Sequence, residues 1–298
     1  MESTISRQVP SGADLIRAAI KRSPRLQAAV ASRSAQWSIQ TIRGACAVRP
    51  SAVFIANQML SPHVRWYRLR DSGLKVALRH RSRDVAILNE IFGGTGGVNG
   101  YAPPPAVADL LDASHSPRIL DLGANIGLFG LYMLGRWPAA RLTAFEPDPD
   151  NATLLEQIVA ANELQAQWQV RRSACSNQPG TISFAAGRLS ESRVAQSDDA
   201  GTIDVAAVDV FDEDHAVHLA KIDIEGAEWS ILTDPRLPEL QAHAIVLEWH
   251  TRNCPQPDPR ATAAGLLGRA GYTEVLDVAG TQESDVDGVI WAWRPITR

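Results

Sequence analysis

The sequence predicts an α/β protein built on a doubly wound, mostly parallel sheet with an antiparallel pair of strands at its C-terminal edge. Three observations predict it. From Arg118 onward, short apolar runs alternate with helix-like periods, the pattern of a parallel sheet covered on both faces. The first apolar run leads straight into a small-residue turn, Gly123-Ala-Asn-Ile-Gly127, which opens a helical stretch. The last two apolar runs have no helical pattern between them.

The strands expected on this basis are Arg118–Leu122, Arg141–Phe145, Trp168–Arg172, Ala220–Ile224, Ala244–Trp249, Glu274–Val278 and Val289–Arg294. Helices fill Ile126–Leu134, Pro149–Ala161, Glu228–Leu232 and Pro259–Ala270. Asp148 before Pro149 is the residue pair that caps and starts a helix, so Asp148 reads as an N-cap. A small β insertion, Thr181–Ala185 with Thr202–Val208, flanks a polar loop at Leu189–Ala200. Upstream, Trp66–Arg70 and Leu74–Arg79 alternate apolar and polar residues around Asp71-Ser-Gly73, a β-hairpin signal. Val85–Phe92 and Ala106–Leu111 read as helices, separated by the Gly-rich link Gly93–Gly100 and the stiff Pro103-Pro-Pro105. Before the hairpin, Ala13–Arg22 and Pro24–Ser38 read as short helices. The expected division is a basic helical extension over residues 1–65 and one main domain over residues 66–298, opened by the hairpin at 66–79.

Composition bounds the rest. With 298 residues, 45% hydrophobic and 21% charged, the chain can bury a large core. No apolar run reaches membrane-helix length and the N-terminus lacks a secretion signal, which predicts a cytoplasmic protein with no membrane partner. Cys46, Cys175 and Cys254 form no metal or redox motif and read as reduced thiols. The net charge of -4 hides an asymmetry: Met1 to Asp84 carries 15 Lys and Arg against 4 Asp and Glu. Solvated helix faces packed on an acidic domain explain that surplus, with homo-oligomerisation through these helices or nucleic-acid contact as the functional readings.

The turn carries the chemistry. Gly123, Ala124 and Gly127 keep side chains small where backbone approaches a ligand, and Glu146 ends the next strand, where a carboxylate accepts hydrogen bonds from both ribose hydroxyls of an adenosine. Dinucleotide sites require a second glycine where this chain has Asn125, and Asp121 suits an ammonium and a sulfonium better than a pyrophosphate. S-adenosylmethionine therefore fits better than a nicotinamide cofactor. Downstream, Asp223 and Glu225 sit at the end of one strand and Glu248 and His250 at the end of the next, on the rim where ligands gather in such sheets. His250 is the first choice of general base, with Glu225 and Asp223 second. Asp223, Glu225 and Glu248 also form the ligand set of an alternative Mg²⁺ reading. Lys221 reads as an ion-pair partner.

Asp121-Leu-Gly-Ala-Asn-Ile-Gly127, Phe145-Glu-Pro147, Lys221-Ile-Asp-Ile-Glu-Gly-Ala-Glu228 and Val246-Leu-Glu-Trp-His250 together resemble the FkbM-type family of S-adenosylmethionine-dependent methyltransferases, from about Trp66 to the end. The resemblance implies a Rossmann-like class I methyltransferase fold and O-methylation of a small molecule such as a sugar or macrolide, as in secondary-metabolite tailoring. It further implies that Asp121, Gly123, Asn125 and Gly127 line the methionine side of the cofactor, Glu146 the ribose, and Ser173 the adenine, at a position where such enzymes often use an acidic or polar residue and this chain has no carboxylate. The competing expectations are a nucleic-acid methyltransferase using the basic leader and a cofactor-binding protein without turnover. Gly93–Gly100, Tyr101, Leu189–Ala200 and Thr251–Asp258 are candidate lids, and Trp229 and Trp249 are either core or flat walls of an acceptor site.

Overall fold

The computed structural model describes residues 33–60, 62–93, 99–185, 193–194, 202–212, 216–278 and 287–295. A seven-stranded sheet organises it, in the order β13-β14-β12-β11-β4-β5-β6. Its strands are β4 (Arg118–Leu122), β5 (Arg141–Phe145), β6 (Trp168–Arg171), β11 (Val217–Ile222), β12 (Ala242–His250), β13 (Glu274–Asp277) and β14 (Asp287–Trp293). Five of them, β12, β11, β4, β5 and β6, run parallel, while β14 pairs antiparallel with both β12 and β13. The fold is thus the expected α/β, Rossmann-like sheet with an antiparallel C-terminal edge.

Period-two alternation divides the sheet between two cores. Ile119, Leu142, Leu219, Val246 and Trp291 point to one side, under the helices that precede β6. Leu120, Leu122, Ala220, Ile222, Leu247 and Ile290 point to the other, under α7 (Glu228–Leu232) and α8 (Pro259–Arg269). Each fully buried aliphatic side chain of this kind contributes about 1.5 to 3 kcal/mol. On the first side lie α5 (Leu128–Arg136) and α6 (Pro149–Ala161). The α6 start follows from sequence chemistry: Asp148 accepts hydrogen bonds from the backbone N–H of Asp150 and Asn151, and Pro149 occupies the first turn.

A smaller sheet follows β6. It pairs β10 (Thr202–Asp209) antiparallel with β8 (Gly180–Ala185) and parallel with β7 (Ala174–Ser176), and β9 (Arg193–Val194) adds to β8. The expected insertion is present, and β9 falls inside what reads in sequence as a polar loop. The hairpin is also present as β2 (Val64–Leu69) and β3 (Lys75–Arg79), followed by α3 (Asp84–Phe92) and α4 (Pro105–Asp112).

The front of the chain departs most from expectation. The helix Ala13–Arg22 lies outside the described residues, and the second helix is described as α1 (Arg33–Ala47), nine residues beyond the expected end at Ser38. Thr41, Ile42 and Gly44 weaken intrinsic helix propensity there, but packing overrides it. Gly44 is needed because a Cβ would stand 2.6 Å from Phe54 Cζ. After β1 (Val48–Arg49) comes an unanticipated helix, α2 (Ser51–Leu60), whose Phe54 meets the rings of Tyr67 and His80 edge-on at 5.4 and 5.0 Å.

Gly130, inside α5, tests how closely that helix is set on the sheet. A Cβ there would overlap the Trp168 ring and stand 2.9 Å from Leu142 Cδ2. Ala ordinarily gains about 1 kcal/mol over Gly in a helix. Overpacking costs about 1 to 3 kcal/mol and should win. Gly130→Ala should therefore lower the urea midpoint; an unchanged or raised midpoint would show that the helix can shift freely.

Candidate active site

The turn after β4 is shaped by three left-handed residues, Gly123, Asn125 and Gly127, at φ +81°, +51° and +83°. Glycine adopts this region freely and asparagine tolerates it. The N–H groups of Gly123 and Ala124 both donate to Phe145 O, at 3.1 and 2.9 Å, which ties the turn to the end of β5. A Cβ on Gly123 would overlap the Asp223 carbonyl oxygen, and one on Gly127 would overlap Leu155 and press on Trp168. Both glycines are required by protein packing: Gly123 by the approach of the β11 end, Gly127 by α6 and β6.

A cleft of about 1010 Å³, counting its open mouth, runs from this turn along the carboxyl ends of the strands. Gly123, Ala124, Asn125, Glu146, Ser173, Asp223 and Glu225 all line it. Asp121 and Gly127 do not; Asp121 is fully buried behind the turn. His250 also stays behind the wall, in contact with the acids that form it.

At one end of the cleft, Glu146 is nearly buried and organised by backbone. Its Oε2 accepts from Asn125 N at 2.7 Å, and its Oε1 accepts from Asp148 N at 2.8 Å. Burial outweighs these hydrogen bonds and pushes its pKa up to about 7. Each carboxylate oxygen keeps acceptor capacity toward the cleft. Nearby, Asn125 Oδ1 and Ser173 Oγ are buried in the cleft wall with no hydrogen-bond partner among the described residues. Buried polar atoms of this kind require a partner, and a polar ligand in the cleft would supply one.

Lys221 joins the two strands at the middle of the cleft. Its buried Nζ donates to Gly123 O at 2.8 Å and lies 3.4 Å from Asp121 Oδ1 and 3.1 Å from Asp223 Oδ2. Burial opposes the ammonium, but Asp223 and Asp121 together outweigh it and raise its pKa. It is therefore a fixed cation, the ion-pair role expected for it. Asp121, for its part, is raised by burial against the pull of Lys221.

Beyond Lys221 the chain turns sharply through Glu225 (φ +54°) and Gly226 (φ +95°). Glu228 stabilises the turn from inside: its Oε2 accepts from Gly226 N at 2.7 Å, and its Oε1 accepts from His250 N at 2.9 Å. The same oxygen faces His250 Nδ1 at 3.1 Å, while Nε2 lies 3.6 Å from Glu225 Oε2 and 4.0 Å from Glu248 Oε1. Burial disfavours the imidazolium, but Glu228 and the surrounding acids overcome it and push the His250 pKa up to about 10. At neutral pH His250 therefore holds its proton. Glu225 is also shifted upward, to about 7, by burial first and then by Asp223. Its carboxyl, not the imidazole, is the group that titrates near neutrality.

Several wall residues carry no sequence signal. Glu90 and Arg83 come from α3 and its start, and burial followed by Asp223 raises the Glu90 pKa. Tyr101 is buried, packs at 5.9 Å from the Phe129 ring, and donates its hydroxyl to Glu248 Oε2, so it is a fixed wall and no lid. Trp229 and Trp249 are core residues at 3% exposure each, the packing alternative for both. The carboxylates proposed for Mg²⁺ do not converge as a set; Asp223, Glu225 and His250 do, with ligand atoms within 4.8 Å. An imidazole, here with its Nδ1 against Glu228, is a poor match for an ion that takes oxygen ligands.

The Glu228–His250 pair gives a direct test. A raised histidine pKa contributes stability that is fully present below the ordinary value of 6.5 and is lost as pH rises through about 10. In an NMR titration His250 should titrate near that upper value, and Glu228→Gln should bring it down by about one to three pH units. A wild-type His250 titrating at or below its ordinary value would contradict the arrangement.

Comparison with known proteins bears on what this cleft serves. The curated relative named Methyltransferase sdnD, from Sordaria araneosa, is 36% identical over 74 residues, 25% of this chain and 29% of that protein. The chain thus matches under a third of that relative's length. Among solved structures, the precorrin-6y C5,15-methyltransferase from Geobacter metallireducens GS-15 aligns at TM-score 0.38 and 15% identity, covering 63% of this chain and 86% of that one. TYW2 from P. horikoshii, solved in complex with MeSAdo, aligns at TM-score 0.38 and 12% identity, covering 79% of this chain and 73% of that one. The model of the methyltransferase FkbM domain matches residues 121–273, from the buried aspartate of β4 through the acid rim to the start of the edge strands. With just over half of its length inside that match, the chain belongs to the FkbM family of methyltransferases.

Proposed function

We propose that the protein is an S-adenosylmethionine-dependent O-methyltransferase acting on a hydroxyl of a small molecule such as a sugar or polyketide. The observation that carries this reading is one continuous cleft with a nucleoside-type end at Asn125, Glu146 and Ser173 and an acid-rich end at Asp223, Glu225 and Glu248. The backbone of Gly123 and Ala124 and the unsatisfied oxygens of Asn125 and Ser173 fit a polar cofactor, and Glu146 suits its ribose hydroxyls. Asp223, held by Lys221, suits an amino-acid ammonium. Asp121 and Gly127 serve the same site indirectly, by anchoring Lys221 and by seating α6.

When bound, S-adenosylmethionine supplies an electrophilic methyl group on a sulfonium. The protein's contribution is alignment, worth up to about 7 to 11 kcal/mol in well-oriented systems, and removal of the acceptor's proton. Glu225 is the base in this account, because it lines the cleft and its raised pKa brings proton exchange close to neutral pH. His250 is a positioning cation whose Nε2 stands behind Glu225. With an acceptor in the cleft, the Glu225 carboxylate would take up the hydroxyl proton, and the sulfonium S–CH3 bond would be the one broken, with S-adenosylhomocysteine as the leaving product. Ile87, Ile91, Phe129 and Phe184 add apolar wall to the same cleft, which suits a ring-bearing acceptor.

Calorimetry with S-adenosylhomocysteine and with NAD tests the reading. The former should bind and the latter should not, and Glu146→Ala should weaken binding by roughly tenfold or more, the loss of a hydrogen bond to a charged group. Tight binding of NAD alone would defeat the proposal. With labelled S-adenosylmethionine and a panel of sugars and macrolides, Glu225→Gln should lower kcat by roughly 10²- to 10⁴-fold at unchanged cofactor affinity. A base with a raised carboxyl pKa also requires turnover to rise with pH as that carboxyl ionises; a profile flat across neutrality, or full turnover in Glu225→Gln, would remove Glu225 from the role.

A further inference from the structure

The solvent side of α2 is apolar throughout. Ser51–Leu60 contains no charged residue, and its buried side is formed by Phe54 and Gln58. Everything it turns outward is apolar: Ala52 and Ala56 are exposed, and Val53, Ile55, Met59 and Leu60 are 48%, 38%, 59% and 81% exposed. These residues span the outer half of the helix as one continuous stripe. On α1, which packs against α2, Ile42 and Trp37 are also exposed. Patches of this kind mark an interaction surface.

Charge identifies the partner. From residue 33 to residue 70 the sequence contains no Asp or Glu and six Arg. Arg49 and Arg65 are exposed on either side of α2 in the chain, and the Arg70 guanidinium is held at its first turn by Ser51 Oγ at 2.8 Å and Cys46 O at 2.8 Å. A second copy would set arginines against arginines. Residues 1–32, with five Lys and Arg against two acids, carry the same sign. Nucleic acid would neutralise the arginines but leave the apolar stripe uncovered. A bilayer with anionic headgroups satisfies both features, since headgroups pair with the arginines while acyl chains take Val53, Ile55, Met59 and Leu60.

We infer that α2 and its flanking arginines dock the protein peripherally on an anionic membrane surface. Such attachment lays a helix in the interface and needs no spanning segment; among the described residues no helix is long and apolar enough to cross a membrane. The expectation of no membrane partner rested on spanning length and on the lack of a secretion signal, neither of which bears on a helix lying in the interface.

Co-sedimentation of the full chain with vesicles decides it. The protein should pellet with mixed phosphatidylglycerol and phosphatidylcholine vesicles, stay in solution with phosphatidylcholine alone, and be released by high salt. The triple variant Ile55→Gln, Met59→Gln, Leu60→Gln should lose roughly tenfold or more of the binding, with an unchanged melting temperature because all three side chains are exposed. Arg65→Gln should weaken binding at low salt only. Failure of the wild type to pellet with anionic vesicles, or equal binding by the triple variant, would overturn the inference. So would a concentration-dependent dimer abolished by the triple variant, or oligonucleotide binding that the same variant loses.

Discussion

Between the ends of β4 and β11, one ammonium group is shared by two carboxylates and a carbonyl. Lys221 Nζ reaches Asp121, Asp223 and Gly123 O with almost no exposure to water. Two opposite charges about 4 Å apart attract by about 4 kcal/mol at an effective dielectric of 20, comparable to the several kcal/mol of desolvation each ion costs. The net gain in stability is therefore small. What the cluster supplies is geometry: it locks the small-residue turn against the Asp223 backbone so closely that only glycine fits at position 123. The nucleoside end and the acid end of the cleft are set relative to each other by this contact.

Charge is distributed along the cleft in a way that follows from burial. Glu146, Glu90, Glu225 and Glu248 are all raised because each is removed from water, and the last three also face Asp223 or one another. Lys221, His250 and Arg83 are cations set among the acids of the rim, and the first two hold their protons more firmly than usual. A base at this rim is consequently a carboxyl group lifted toward neutrality. The histidine that such chemistry most often uses is committed to Glu228 instead.

Much of this was legible from residue order. The elements β4, β5, α6 and α7 occupy the ranges their apolar periods predict, because buried parallel strands and a capped, proline-started helix leave strong local marks. Glu146 and Asp223 reach the cleft because each follows a strand end. Less legible was anything decided across the sheet. Gly123 and Gly127 look like ligand clearance in sequence and are packing requirements in space. Glu90 has no motif, and Tyr101 sits beside a Gly-rich stretch that suggests a lid while its ring is buried under Glu248. The helix α2 escaped notice because its outward face is apolar, so the amphipathic period that announces a surface helix is missing. His250 was legible as a site neighbour but not as a cation, since its protonation depends on a carboxylate 22 residues away in sequence.

Lys221→Met, which keeps the stem and removes the charge, probes the shared ammonium most directly. Asp121 would then be buried beside Asp223 without a counter-charge, a change of about 3 to 5 kcal/mol in comparable buried pairs. Equilibrium unfolding of this variant, followed by titration with S-adenosylhomocysteine under conditions where it remains folded, should show that loss of stability together with loss of cofactor binding. A variant with wild-type stability and wild-type affinity would contradict the claim that this ammonium holds the turn and the rim in place.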